Sequence, residues 1–139
     1  MYLPIKKKSG GLTPGDGCSA AWTLDGTDFS EQDMTICIFV DSVFNMSSSA
    51  GGGTFLMQID PIGGPGTYVV DATNFDQLVL ISLTLDDGQL LFIKEGQIVV
   101  TELNSSRARG TFSGAFFDSA DLTQTANFQV TNGSFEANF

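Results

Sequence analysis

Paired carboxylates are the first candidates for chemistry in this sequence of 139 residues. Asp86 and Asp87 are adjacent, and Asp118 stands three residues before Asp121. Two well-placed carboxyl groups are sufficient for glycoside hydrolysis. An aspartate in a turn, however, usually accepts hydrogen bonds from its own backbone. Because most of these residues stand where we predict turns, we expect structural roles for them and no catalytic residues.

A third acidic group occurs closer to the start of the chain. It consists of Asp25, Asp28, Glu31 and Asp33. Such oxygen ligands can bind calcium, but the stretch DGTDFSEQD lacks the spacing of acids and glycine that a dedicated calcium loop has. We therefore predict no metal site and no cofactor.

Nucleophilic catalysis is not expected, because the sequence contains no histidine to activate a serine or a cysteine. Two cysteines, Cys18 and Cys37, are present, and we place them on neighbouring strands. Alternation puts Cys18 on the same face as Trp22 and Cys37 on the same face as Phe39, without showing whether the two faces coincide. We expect two buried thiols, with a disulfide in an oxidising compartment as the alternative.

The charge balance restricts the partners. Sixteen acidic and six basic residues give a net charge of −10, which repels phosphate backbones and argues against nucleic acid as a partner. The apolar runs are shorter than the ~20 residues of a membrane span, so we predict no transmembrane segment. With twelve phenylalanines and 42% hydrophobic residues, the chain can bury a large core.

Hydrophobic residues recur with a period of two, which is typical of β-strands. Turn signals every 8 to 12 residues predict a single-domain, antiparallel β-sandwich or flattened barrel of about 8–10 strands, with almost no helix. We assign residues 18–139 to this domain. We predict that residues 1–17 form an N-terminal tail or arm, because Pro4, Pro14 and four glycines oppose regular structure there.

Several boundaries follow from turn residues. Asp25-Gly26 predicts a tight turn. Residues 34–44 are predicted as one long strand and residues 45–53 as a loop. The stretches 89–94 and 96–103 are predicted as two separate strands.

The last two strands carry the clearest patterns. In residues 107–117 the small and aromatic residues alternate with arginine, threonine and serine, so one face is predicted to be core. Phe117 points away from that core, toward a partner or a second sheet. In the final strand the inward face changes parity near Asn132-Gly133, which predicts a β-bulge, with a hairpin as the competing interpretation.

Five stretches in a fixed order resemble a family of Bacteroidota lipoproteins whose domains have unknown function. They are TLDGTDF (residues 23–29), GTY (66–68), GQIVVTEL (96–103), RGTFSGAFFD (109–118) and VTNGSFEANF (130–139). The resemblance implies an exported all-β domain that a lipid tethers to the outer membrane or cell surface. It supplies no catalytic residues.

The residues before Cys18 depart from that family. No apolar export segment follows Lys6–Lys8, so no signal peptide is present in this sequence and we do not expect lipid on Cys18. The expected location remains exported, that is periplasmic, outer-membrane-associated or at the cell surface.

These observations predict a noncatalytic, exported or surface-associated β-sandwich that binds a partner or builds a structure. The expected partners are a protein or a surface glycan, and self-assembly through edge strands or the N-terminal arm is a further possibility. The alternative function is a carbohydrate-binding module, which an exposed strip of aromatic residues would favour. An enzyme would require two carboxylates facing each other across a cleft.

Overall fold

The computed structural model describes residues 17–32, 34–48 and 55–139, which form ten β-strands and no helix. The strands are β1 (Gly17–Leu24), β2 (Thr27–Glu31), β3 (Ile36–Val40), β4 (Val43–Ser47), β5 (Phe55–Asp60), β6 (Gly66–Val69), β7 (Leu78–Thr84), β8 (Leu90–Leu103), β9 (Arg107–Asp118) and β10 (Phe128–Asn138). The predicted all-β antiparallel architecture is confirmed.

The strands form one antiparallel sheet that curls into a half-barrel, in the order β2-β1-β10-β9-β8-β7-β5-β4-β3. Strand β6 lies off this path and pairs with the second half of β8. Strands β8 and β9 are long, with 14 and 12 residues, and they carry the curl from one half of the sheet to the other. The interior of the curl holds the core.

Two hairpins use the same turn geometry, and only one was predicted. Asp25 (φ 47°) and Gly26 (φ 87°) connect β1 to β2, as expected. Asp41 (φ 53°) and Ser42 (φ 64°) connect β3 to β4 in the same way. The prediction of one strand over residues 34–44 is therefore wrong, because a turn with positive φ angles formed without glycine.

Two other predicted boundaries are also wrong. The loop predicted for residues 45–53 begins as strand, since β4 continues to Ser47; residues 49–53 lie outside the described residues. The break predicted between residues 94 and 96 is a register shift within β8, between Ile93 and Glu95. A bulge changes the parity of a strand without ending it, so the sequence pattern resembled two strands.

The bulge predicted in the last strand is confirmed. The pairing of β10 with β9 shifts between Val130 and Gly133, and Asn132 has a φ of 52°. A side chain at Gly133 would overlap the ring and the backbone of Phe112. The competing hairpin is wrong, because β10 is continuous and lies between β1 and β9.

Aromatic rings from both halves of the sheet meet in the interior. Phe55 on β5 stacks on Trp22 of β1, with 5.1 Å between ring centroids, and lies 5.7 Å from Phe112 of β9. Phe44 and Phe135 make a similar contact at 5.8 Å. Trp22 is only 6% exposed, so its ring belongs to the core. One core therefore holds both halves together.

A disulfide joins Cys18 to Cys37, so the expectation of two free, buried thiols is wrong. We predicted that the two cysteines lie on neighbouring strands, and this is wrong. Strand β3 ends the sheet, whereas β1 is next to the terminal strand at the other end. The curl brings them together, with 6.3 Å between the two Cα atoms. The amide of Met34 also donates to the Cys18 carbonyl at 3.1 Å. Alternation within each strand carries no information about this closure.

Gly17 is the first residue of β1, so the described domain begins one residue before the predicted boundary. The rest of the predicted tail, residues 1–16, lies outside the described residues.

Candidate functional site

The outward-facing side chains of the half-barrel divide into two surfaces of different chemistry. The polar outer face is formed by β1, β10, the first half of β9 and the second half of β8. Its outward residues are Ser19, Ala21, Thr23, Gln97, Val99, Thr101, Arg107, Arg109, Thr111, Ser113, Gln129, Thr131, Ser134, Glu136 and Asn138. The apolar outer face is formed by β3, β4, β5, β7, the start of β8 and the end of β9. Its apolar residues are Ile36, Ile38, Val40, Val43, Leu56, Leu78, Leu80, Leu90, Phe92 and Phe117.

Strand β3 is the most exposed part of the apolar outer face. Ile36, Ile38 and Val40 are 46%, 44% and 57% exposed, although each is a large apolar side chain. Their neighbours Cys37 and Phe39 point inward, toward the core. The strand contains no charged residue, whereas terminal strands usually carry charges that oppose pairing with other chains.

The other terminal strand, β2, has that protection. It presents Asp28 and Glu31 within five residues, and the Asp28 carboxylate accepts a hydrogen bond from the Thr23 hydroxyl at 2.7 Å. The two ends of one sheet therefore differ in chemistry, and only β3 offers an uncharged apolar surface.

The apolar outer face continues across the sheet by direct cross-strand pairing. One row of paired residues crosses the sheet from Ile36 through Ser47, Leu56 and Ser82 to Phe92, so two serines alternate with the apolar residues. Phe92 in turn pairs with Phe117, and the two rings lie 6.0 Å apart. Phe117 thus points away from the core, as predicted, but it is half-buried against Phe92, and the described residues contain no second sheet to cover it.

Ion pairs and a groove mark the polar outer face. Arg107 and Arg109 each lie between Glu102 and Glu136, at nitrogen-oxygen distances of 3.5 to 3.9 Å. These distances exceed those of good hydrogen bonds, so the pairing is loose. An open groove of about 380 Å³ passes Arg109 and Glu136.

Hydroxyl and amide groups line the rest of this groove. They belong to Ser19, Gln32, Thr101, Thr111 and Ser134. Phe135 also borders it, but that ring is 4% exposed and belongs to the core. The aromatic strip expected of a carbohydrate-binding module is therefore not formed by the residues that line this groove.

Of the candidate carboxylates, Asp86 and Asp87 lie in the turn between β7 and β8, Asp118 is the last residue of β9, and Asp121 lies in the loop after it. The Asp87 carboxylate accepts a hydrogen bond from the Gln89 amide, and the Asp118 carboxylate accepts one from the Ala120 amide, both at 2.9 Å. Asp118 also accepts a hydrogen bond from the Gln89 side chain at 2.7 Å. These contacts fix loop geometry, which is the structural role that the sequence predicts.

The group Asp25, Asp28, Glu31 and Asp33 is spread along the β1–β2 hairpin and beyond it. The Asp25 carboxylate accepts a hydrogen bond from the Gln129 amide at 2.9 Å, which ties the turn to β10. Asp33 lies outside the described residues. Within the described ranges, no cluster of three or more histidine, cysteine or acidic side chains is arranged to hold a metal ion.

Two loops contain the same hydrogen-bonded motif, Asp-x-Thr, which the sequence analysis missed. In each, the aspartate accepts hydrogen bonds from the amide and the hydroxyl of the threonine two residues later. The amide bond is 2.9 Å and the hydroxyl bond 2.6 Å long in both Asp71-Thr73 and Asp121-Thr123. The hydroxyl bonds hold the pKa of both carboxyls below the ordinary value of 3.8, because donors favour the charged form.

Comparison of this chain with protein-family models, with curated proteins and with solved structures gives no match. In the parts of the chain that the structure describes, no helix has the length and apolar character needed to cross a membrane.

Proposed function

We propose that the chain is a noncatalytic, exported or surface-associated module that binds a partner or builds a structure through its apolar outer face. The observation that carries this proposal is the apolar strand at the end of the sheet, whose side chains Ile36, Ile38 and Val40 are exposed among the described residues. Large exposed apolar patches on folded proteins commonly mark interaction surfaces. Edge strands also bind partners without requiring particular side chains.

The disulfide supports the exported part of the proposal. The Cys18–Cys37 bond joins two strands near opposite ends of the sheet order, and structural disulfides persist mainly in oxidising compartments. The resemblance to exported lipoproteins favours the same location.

The noncatalytic part is supported by what the carboxylates do. Asp87, Asp118 and Asp121 bind loop amides, and the absence of histidine from the sequence removes the usual general base. Catalytic groups generally require a cleft and strongly shifted pKa values, whereas the two shifted carboxyls here are solvent-exposed turn residues.

Paired charge substitutions test the proposed function. In native cells, the full chain is expected to fractionate with a partner, as a complex larger than the monomer. Ile36→Asp with Val40→Asp should release it as a monomer, because the carboxylates would have to be desolvated at the interface. Thr111→Asp with Ser113→Asp, at exposed positions of the polar outer face, should leave the complex intact. A monomeric wild-type chain, or equal release by both pairs, would contradict the proposal.

The groove on the polar outer face favours the second candidate function, carbohydrate binding. Hydroxyl, amide, arginine and carboxylate groups around Arg109 and Glu136 match the donors and acceptors of a sugar unit. Affinity electrophoresis against a panel of polysaccharides tests it. Retardation that Arg109→Ala abolishes would support this function, and unchanged mobility in every gel would remove it.

A further inference from the structure

Strand β3 has a free edge, the side away from β4, with which no strand of the described ranges pairs. Val40 and Val43 flank a two-residue turn in which both φ angles are positive, and the residues that close such a turn are hydrogen-bonded to each other. Hydrogen-bonded and non-bonded pairs alternate along antiparallel strands. Ile38 therefore also bonds to β4, whereas Cys37 and Phe39 direct their amide and carbonyl groups toward the free edge.

The pairing of β4 with β5 supports this assignment. The Ser48 amide donates to the Phe55 carbonyl at 2.9 Å, so the even-numbered residues of β4 bond to β5 and the odd-numbered residues, which include Val43, bond to β3. The free edge of β3 thus presents four backbone groups, the amides and carbonyls of Cys37 and Phe39.

The side chains along the free edge are apolar on both sides of the strand. Ile36, Ile38 and Val40 are exposed on the outward side. On the inward side, the exposed ring of Phe139 lies 6.0 Å from the ring of Phe39. Because β3 contains no charged residue, the strand lacks the usual protection against pairing with another chain.

A second copy of β3 fits this edge in antiparallel orientation. With Ile38 opposite Ile38 of the second copy, Cys37 and Phe39 exchange four hydrogen bonds with Phe39 and Cys37 of that copy. The outward residues then form the non-bonded pairs, in which Cα atoms are about 4.5 Å apart and side chains are closest. Ile38 meets Ile38, and Ile36 of each copy meets Val40 of the other.

The charges near the ends of the sheet favour this arrangement over others. Asp41 follows β3 and is exposed. In the antiparallel pair it lies opposite Thr35 of the second copy, and the two Asp41 residues are about 20 Å apart. In a parallel, in-register pair they would be adjacent, which is destabilising. Pairing of β3 with β2 of another copy would place Asp28 and Glu31 beside apolar side chains.

We propose that two copies of the chain pair through β3, antiparallel about a two-fold axis at Ile38, so that two half-barrels share one continuous sheet. The inference rests on the proposed function and names the partner as a second copy. Such pairing occupies both free edges and closes as a dimer. The disulfide at Cys37 holds the strand in place before pairing, which lowers the cost of ordering it. Because β3 has only five residues, the interface is small, and we expect a dissociation constant in the micromolar range.

Analytical ultracentrifugation of the purified, oxidised full chain tests this pairing. The wild type should be a dimer at high micromolar concentration and should dissociate on dilution. Ile38→Asp and Ile38→Lys should each raise the dissociation constant at least about 100-fold, because two like charges then lie about 5 Å apart at the axis. Ile38 is 44% exposed, so both variants should keep the circular dichroism spectrum of the wild type.

An equal mixture of the two Ile38 variants tests the register. It should form a dimer with one chain of each kind, because opposite charges then meet at the axis, and native mass spectrometry with one variant isotope-labelled identifies that dimer. Thr111→Asp and Thr111→Lys, on the polar outer face, are the matched controls, and each should dimerise as the wild type does. Added salt should strengthen the wild-type dimer, because it screens the repulsion between two chains of net charge −10.

A wild type that stays monomeric at every concentration would overturn the inference. Ile38 variants that dimerise alone, or that do not pair when mixed, would overturn it as well. Association beyond the dimer would also contradict it, because contact of β3 with β2 does not close. None of these results decides the proposed function, whose test measures release of a partner in native cells.

Discussion

The polar and apolar outer faces belong to one sheet and cover one core, yet only the first is suited to water. On β9 and β10, outward arginine, threonine, serine and glutamate alternate with buried residues. On β3 the same alternation is present, but the outward residues are Ile36, Ile38 and Val40. The difference shows that period-two patterning fixes which side is the core, while the identity of the outward residues indicates whether the other side remains in water.

The comparison requires that the two halves share one core. Phe55→Ala should lower the free energy of unfolding by about 3 to 5 kcal/mol, because its ring contacts Trp22 and Phe112 from the opposite half. Phe117→Ala, which removes a half-buried ring from the outer face, should cost less than half as much. Urea denaturation, monitored by Trp22 fluorescence and by circular dichroism, measures the free energy of unfolding of both variants.

If the two probes gave different midpoints in the wild type, the halves would unfold separately. The comparison would then concern two units rather than two faces of one sheet.

Closure by the disulfide should give the next largest effect. Replacing both Cys18 and Cys37 by serine should lower the free energy of unfolding by about 3 kcal/mol, since the bond closes a loop of about 20 residues in the unfolded chain. Thermal denaturation of the variant and of the reduced wild type should agree. A loss below about 1 kcal/mol would show that closure of the curl does not depend on this bond.

A smaller effect is expected on the polar outer face. Arg109→Ala should cost about 0.2 to 1 kcal/mol, because its contacts with Glu102 and Glu136 are exposed and long. The difference from wild type should shrink as salt is added. A cost that salt does not change would indicate that Arg109 acts through packing instead of charge.

The smallest effect concerns the two Asp-x-Thr loops. Because the pKa values of Asp71 and Asp121 are lowered by folding, their stabilisation is present above the ordinary value of 3.8 and is lost as the pH falls through the folded pKa. Thr73→Ala should raise the pKa of Asp71 and leave Asp121 unchanged, and Thr123→Ala should do the reverse. Carboxyl NMR titration measures both, and a shift of both aspartates in either variant would show that the loops are coupled.

The sequence predicted the features that depend on local patterns. Alternation in residues 107–117 indicated the core face of β9, and the change of parity near Gly133 indicated the bulge. The Asp25-Gly26 turn was recognisable because glycine accepts positive φ.

Features that depend on unusual local geometry or on closure of the sheet were not predictable in this way. The Asp41-Ser42 turn lacks glycine, so β3 and β4 resembled one strand and the exposure of Ile38 at the end of the sheet was hidden. Pairing of Cys18 with Cys37 depends on the curl of all the strands between them in the sheet. The apolar outer face was likewise missed, because its members come from strands that are distant in the sequence.

Site-specific photo-crosslinking in the native cell tests the difference between the two outer faces most directly. A photoreactive residue replaces Ile38 in one chain and Thr111 in another. The account predicts an adduct of defined mass between position 38 and a partner, which Ile36→Asp with Val40→Asp abolishes, and no such adduct from position 111. Equal adducts from both positions, or none from position 38, would contradict it.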